Sequence, residues 1–187
     1  MTTGKTVTEI KSIGIFCGSS AGVDNAYMAA AEELGRLVAS RGMTVVYGGA
    51  SVGLMGCVAD AALQAGGRVI GVIPDSLNKP EIAHTDLTEL EVVNSMFQRK
   101  ERMIALSDGF ISIPGGIGTL DELFEVWSLR ALQAHMKPVG LLNLEGYFDP
   151  LLEFIDRMVD QGFLRSSWRA LLHVASTSDE LLSRMGL

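Results

Sequence analysis

Nine consecutive residues, Pro114 to Glu122 (P-G-G-I-G-T-L-D-E), combine the ingredients of an anion-processing site. They follow an apolar run, Gly109–Ile113, that reads as a buried strand, and they precede a helical pattern from Leu120. Glycine lets backbone come close to a ligand, and the first N–H groups of a helix point outward without partners. The helix dipole favours negative charge at the same place. Glu122 follows one turn into the helix, so a phosphorylated substrate would be cut or moved close to its phosphate. Thr119-Leu-Asp-Glu122 also matches a capping box, in which a Glu at N3 folds back onto the N-cap N–H. That structural role alone would account for Thr119 and Glu122.

A second constellation is Met96-Phe-Gln-Arg-Lys-Glu-Arg-Met103. Met96, Arg99, Lys100 and Met103 are spaced i, i+3, i+4, i+7 and share one helical face. The two cations either snorkel at the edge of a core or floor a basic pocket. Two further glycine-rich turns, Gly18–Gly22 and Gly48–Gly53, follow apolar runs. Gly18, Ser19, Gly48, Gly49 and Gly115 are therefore candidate ligand contacts, with Met96 beside the cations. Neither a G-x-G-x-x-G fingerprint after the first strand nor a G-K-[ST] phosphate loop is present, which disfavours NAD binding and ATP hydrolysis. His84, His135 and His173 are scattered, and no metal site is expected. Cys17 ends an apolar run and reads as a small hydrophobe.

The elements that must position these groups alternate along the chain. Strands are expected at Ile10–Cys17, Met43–Tyr47, Arg68–Ile73, Leu87–Val93, Gly109–Ile113, Pro138–Leu142 and Leu171–Val174. Helices are expected at Asn25–Arg41, Leu54–Ala65, Asn94–Ser107 (capped by Asn94 or Ser95), Leu120–His135, Tyr147–Gln161 and Thr177–Met185. Asp75–Asp86 reads as a loop, and residues 1–9 as a flexible N-terminus. Short apolar strands between helices predict one α/β, Rossmann-like domain: a mostly parallel sheet of six or seven strands with helices on both faces. Ligands of such sheets bind beyond the carboxyl ends of the strands. The three glycine turns fall there and could share one crevice.

The chain has 187 residues, enough for one domain with a sizeable core, and 48% are hydrophobic. A net charge of −7 disfavours nucleic acid as a partner. No apolar run approaches a membrane span, and no signal-peptide core is seen. Together with only two cysteines, Cys17 and Cys57, this predicts a cytoplasmic protein.

The pair M-x-x-R-K-x-x-M and P-G-G-x-G-T-x-x-E resembles the LOG family of cytokinin riboside 5′-monophosphate phosphoribohydrolases, often mislabelled lysine decarboxylases. The likeness runs through C-G-S-S at Cys17–Ser20, Y-G-G at Tyr47–Gly49, G-L-M-G at Gly53–Gly56, G-V-I-P at Gly71–Pro74 and G-L-L-N at Gly140–Asn143. The resemblance implies a homodimer with its nucleotide site near the interface. It also implies hydrolysis of the bond between a purine base and ribose 5-phosphate, without metal or redox cofactor. It makes Arg99 and Glu122 catalytic, and Glu81, Lys100, Gly116, Ile117, Gly118, Thr119 and Ser128 substrate contacts. Phe97 departs from the histidine of many members. Ser128–Gln133 departs from their T-W-x-Q-L-G, and both changes bear on base preference. The expected chemistry docks the 5′-phosphate on the amides of Gly116–Thr119 and sets Glu122 under an oxocarbenium-like sugar. A nucleosidase that prefers AMP and a nucleotide-binding module without turnover are the alternatives. Pyridoxal phosphate chemistry needs a Schiff-base lysine, and Lys100, beside Arg99, is better explained by anion binding.

Overall fold

The computed structural model describes residues 10–187. The N-terminal residues 1–9, expected to be flexible, lie outside the described residues. Seven strands form one sheet in which every pairing is parallel: β1 (Ser12–Phe16), β2 (Thr44–Tyr47), β3 (Val69–Pro74), β4 (Glu89–Val93), β5 (Gly109–Ser112), β6 (Val139–Leu142) and β7 (Leu172–Ala175). Their order is β4-β3-β2-β1-β5-β6-β7. The order reverses between β1 and β5, the switch point at which such sheets open a ligand crevice.

Helices cover both faces: α1 (Asn25–Ser40), α2 (Gly53–Gln64), α3 (Met96–Leu106), α4 (Ile117–Ala131), α5 (Asp149–Asp160), the short α6 (Ser166–Arg169) and α7 (Ser178–Arg184). Alternation along the strands sorts the core into two layers. Ile13, Ile15, Cys17, Val45, Tyr47, Ile111 and Ile113 pack with α1, α2 and α7. Phe16, Val46, Val72 and Phe110 pack with Met103 of α3, Leu123 and Trp127 of α4 and Ile155 of α5. Among the described residues, no helix is long and apolar enough to cross a membrane.

Several boundaries differ from those expected, for local reasons. The fourth strand starts at Glu89 rather than Leu87, because the Thr88 hydroxyl takes the Val69 N–H at 3.0 Å in place of a ladder bond. The fourth helix starts at Ile117, three residues before Leu120, and stops at Ala131 rather than His135. It stops because Gln133 enters the left-handed region (φ 62) and Ala134 N–H folds back to Leu129 O at 2.9 Å. No glycine marks that C-terminus. The fifth helix begins at Asp149, after a 3₁₀ turn at Leu144–Gly146. Both sheet edges carry arginine contacts. Arg68 and Arg102 pair with Glu89 and Glu91 of β4, each at 2.6 Å, and Arg184 donates to Val174 O of β7 at 2.7 Å.

Candidate active site

The turns after β1, β2 and β5 converge beyond the carboxyl ends of those strands. The Gly18 N–H donates to Pro114 O at 3.1 Å and ties the first turn to the third. A Cβ on Gly115 would meet Thr119 Oγ1 and lie 2.7 Å from Gly18 N, so glycine is what lets these turns close on each other. α4 starts with Gly116 as N-cap and no side-chain cap. The N–H groups of Gly116, Ile117, Gly118 and Thr119 bond to no described residue. These are the four orphan donors of a helix start. They open onto a crevice of about 510 Å³ lined also by Gly18, Ser19, Gly48, Arg99 and Glu122. The facing wall is apolar: Ala50, Val52, Met55, Ile73, Leu77 and Ile82. A strap, residues 75–86, brings the last two there, held by an Ala50–Ala83 bridge and by Ser51 N–H donating to Ile82 O at 2.8 Å.

Arg99 reaches the crevice from α3. Its Nε donates to Val72 O at 3.1 Å, and Nη1 lies 3.2 Å from Met96 Sδ. The guanidinium rests on Gly48, where a Cβ would overlap Nη2 and come within 2.8 Å of Cζ. Nη1 is 3.4 Å from Glu122 Oε1, an ion pair whose side chains are only 12% and 11% exposed. Burial pushes the Glu122 carboxyl up from 4.5 to about 7, against the opposing pull of Arg99. A cleft carboxyl held up near neutrality is a candidate acid–base group.

The capping box that Thr119–Glu122 matches in sequence is not formed. With Gly116 as cap, Thr119 is the third helical residue and Glu122 the sixth, and both are buried. A variant of the box occurs on α3 instead: Ser95 Oγ, at the N-cap, accepts Gln98 N–H at 3.2 Å, while Gln98 Oε1 reaches one residue further back, to the Asn94 N–H at 2.9 Å. The amides of α4 thus stay open, and Glu122 faces the crevice.

Of the sequence-derived site residues, Gly18, Ser19, Gly48, Arg99, Gly116, Ile117, Gly118, Thr119 and Glu122 line one crevice. Gly115 and Gly49 buttress it. Gly49, at φ +75, accepts the His84 N–H of the strap at 3.0 Å. Met96 touches Arg99 and is not itself a wall residue. Lys100 is not brought to the crevice. One residue turns a helix through about 100°, and its Nζ lies 3.0 Å from Asp121 Oδ2 and 3.1 Å from Glu125 Oε2. Glu81 is exposed on the strap, whose Leu77 and Ile82 face inward instead. Ser128 is exposed on α4, about 9 Å along the helix from Glu122. The apolar wall was not anticipated. Ala50 and Val52 lie in a turn that the glycines had already marked, whereas Leu77 and Ile82 lie in a loop without periodicity. Cys17 also lines the crevice, and burial pushes its thiol up, which keeps it inert.

A family model described as possible lysine decarboxylase matches residues 55–185. The chain is 47% identical over 178 residues to a probable cytokinin riboside 5′-monophosphate phosphoribohydrolase of Oryza sativa subsp. japonica, covering 95% of this chain and 73% of the relative. It is 46% identical to a cytokinin riboside 5′-monophosphate phosphoribohydrolase of Arabidopsis thaliana, covering 95% and 84%. Among solved structures, the molybdenum cofactor carrier protein of Chlamydomonas reinhardtii superposes with a TM-score of 0.70 at 25% identity, covering 94% and 95%. The residues do not fit the pyridoxal phosphate that a decarboxylase would hold. Burial lowers the affinity of Lys100 for its proton, but the hydrogen bonds it donates to Asp121 and Glu125 more than offset this and keep it an ammonium ion. Lys137 precedes β6 at the amino ends of the strands, the end of the sheet away from the crevice, and donates to Ile104 O at 2.6 Å.

Proposed function

The chain belongs to the LOG family, and from that premise we propose that it hydrolyses the N-glycosidic bond of a purine riboside 5′-monophosphate of the cytokinin type. The observation that carries this reading is the buried Arg99–Glu122 pair, 3.4 Å apart, beside four unpartnered helix-start amides. The 5′-phosphate docks on the N–H groups of Gly116–Thr119, where the α4 dipole adds to the attraction. The base takes the apolar side, against Val52, Leu77 and Ile82. As the bond from C1′ to the base nitrogen breaks, its electron pair leaves with the base, which takes up a proton from solvent. Positive charge grows on the sugar, and the ionised Glu122 stabilises it and accepts a proton from the water that adds at C1′. Arg99 holds Glu122 in place and offers its outer N–H groups to the ribose phosphate. The products are the free base and ribose 5-phosphate.

The reading extends to a cytoplasmic homodimer and a single domain over 1–187. Two free cysteines, Cys17 and Cys57, fit a reducing compartment. Exposed Met96, Phe97 and Ile117 support burial of the crevice rim by a second copy. Phe97→Glu is expected to give a monomer by light scattering. Incubation with AMP and with N6-isopentenyl AMP tests the activity by chromatography of the released base. Arg99→Ala and Glu122→Gln are expected to lower kcat at least about 100-fold. Full activity in both folded variants would overturn the assignment. The carrier-protein fold favours one rival, a nucleotide-binding module, and tight binding of both nucleotides without base release would establish that instead.

A further inference from the structure

We infer that Tyr147 is a positioning residue for the phosphate cradle. From the loop after β6, its hydroxyl grips the outer side of the peptide whose inner side presents the first cradle amide. This rests on the reading of the Gly116–Thr119 amides as the phosphate site. Tyr147 is not a crevice residue. Its Oη donates to Gly115 O at 2.8 Å. The Gly115 carbonyl and the Gly116 N–H belong to one peptide unit, and no described peptide bond is cis. In a trans unit the two groups point in opposite directions. A donor that fixes the carbonyl outside therefore fixes the N–H inside, and polarises it into a stronger donor.

The loop that carries Tyr147 is built to aim it. Asn143 Oδ1 accepts Phe148 N–H at 2.8 Å while its Nδ2 donates to Asp149 Oδ1 at 2.7 Å. Between them Glu145 adopts φ 50, a left-handed conformation that side chains disfavour, followed by Gly146 at φ 71. The Tyr147 ring meets Tyr27 edge-on at 5.6 Å and Phe148 at 4.8 Å. Tyr27 in turn fills the space that a Cβ on Gly22 would need. The ring thus stands between the turn after β1 and the turn after β5. Tyr147 is 43% exposed, so water could satisfy its hydroxyl. Burial does not force the bond to Gly115.

Tyr147→Phe keeps the ring contacts and removes only this bond, and Tyr27→Phe serves as the control. Tyr147→Phe is expected to raise KM for AMP and the inhibition constant of ribose 5-phosphate about three- to tenfold, the worth of one net hydrogen bond. Its kcat should stay within twofold, and inhibition by adenosine, which lacks the phosphate, should not change. Tyr27→Phe should match wild type. An unchanged ribose 5-phosphate constant, or an equal loss for adenosine, overturns the inference. If wild type releases base from neither AMP nor N6-isopentenyl AMP, the functional reading fails. Calorimetric affinities of wild type and Tyr147→Phe for ribose 5-phosphate then decide the inference separately, with equal affinities or no binding counting against it.

Discussion

Gly48→Ala puts a single methyl group under Arg99 and tests the core of the site from behind. The added Cβ would overlap Nη2, touch Met55 Cε and lie 2.8 Å from Cζ. Carbon atoms in contact need about 3.5–4.0 Å, so Cζ must retreat by about 1 Å and the overlapped Nη2 by more. That retreat strains the 3.1 Å bond to Val72 O and opens the 3.4 Å pair with Glu122. A misplacement of about 1 Å costs on the order of 100-fold in rate. The fold should lose little, because the obstructing atoms end a flexible side chain. One weakened hydrogen bond is worth about 1 kcal/mol, or roughly 2–4 °C in Tm for a domain of this size. Base release from AMP should therefore fall about 100-fold in kcat/KM, in a protein that melts almost normally. Because both changes act through one side chain, Gly48→Ala with Arg99→Ala should be no worse than Arg99→Ala alone. Activity of Gly48→Ala within threefold of wild type, or losses that multiply in the double variant, would refute the argument that Gly48 exists to seat Arg99.

Other outcomes follow from the same geometry. With Glu122 working as a carboxylate and its pKa held near 7, kcat/KM should rise with pH through a midpoint close to 7, and a falling limb there would contradict the role. The folded pKa lies above the ordinary value of 4.5, so the stability tied to this proton is complete below about 4.5 and is lost as pH climbs through 7. Urea melts should show Glu122→Gln gaining on wild type between pH 5 and pH 8, by at most about 3 kcal/mol, and a gap that ignores pH would count against the burial argument. Gly35→Ala would drive a Cβ into Val58 O and within 3.2 Å of Val58 C, wedging α1 from α2. It should cost about 1–3 kcal/mol in thermal or chemical melts, and wild-type stability would show that the two helices do not pack so closely.

The architecture was legible because its signal is redundant. The inner strands are short, mostly apolar runs bounded by turns, and parallel strands buried on two faces need no register information to be recognised; the edge strands β4 (E-L-E-V-V) and β7 (L-H-V-A) are interrupted by glutamate and histidine. The crevice was legible where glycine leaves room for a close approach: at Gly18 and Gly115, where two turns close on each other, and at Gly48, where the Arg99 side chain lies against the backbone. What failed depended on rotation and on distant partners. Thr119-Leu-Asp-Glu122 carries a capping pattern, yet a helix that begins on Gly116 turns the same residues inward, and only the position of that first turn decides between them. Arg99 and Lys100 are equal in the sequence. Which one enters the crevice is set by how α3 lies on β3 and by Asp121 and Glu125, which draw Lys100 to α4. Gln133 ends α4 in a conformation for which the sequence usually supplies glycine. Leu77 and Ile82 reach the site through a loop, where no periodicity announces a buried face.

The guarded flanks of the sheet bear on how copies of this chain can meet. An unfinished strand invites another strand to zip alongside it. Here the outermost carbonyl of Val174 is already claimed by Arg184, and on the far side Glu89 and Glu91 would have to surrender Arg68 and Arg102 to a newcomer. Continuous fibres built by edge-to-edge joining are thereby disfavoured. Any contact between copies would fall to the helical flanks, where Phe97 and Ile117 are exposed and Ile117 borders the crevice.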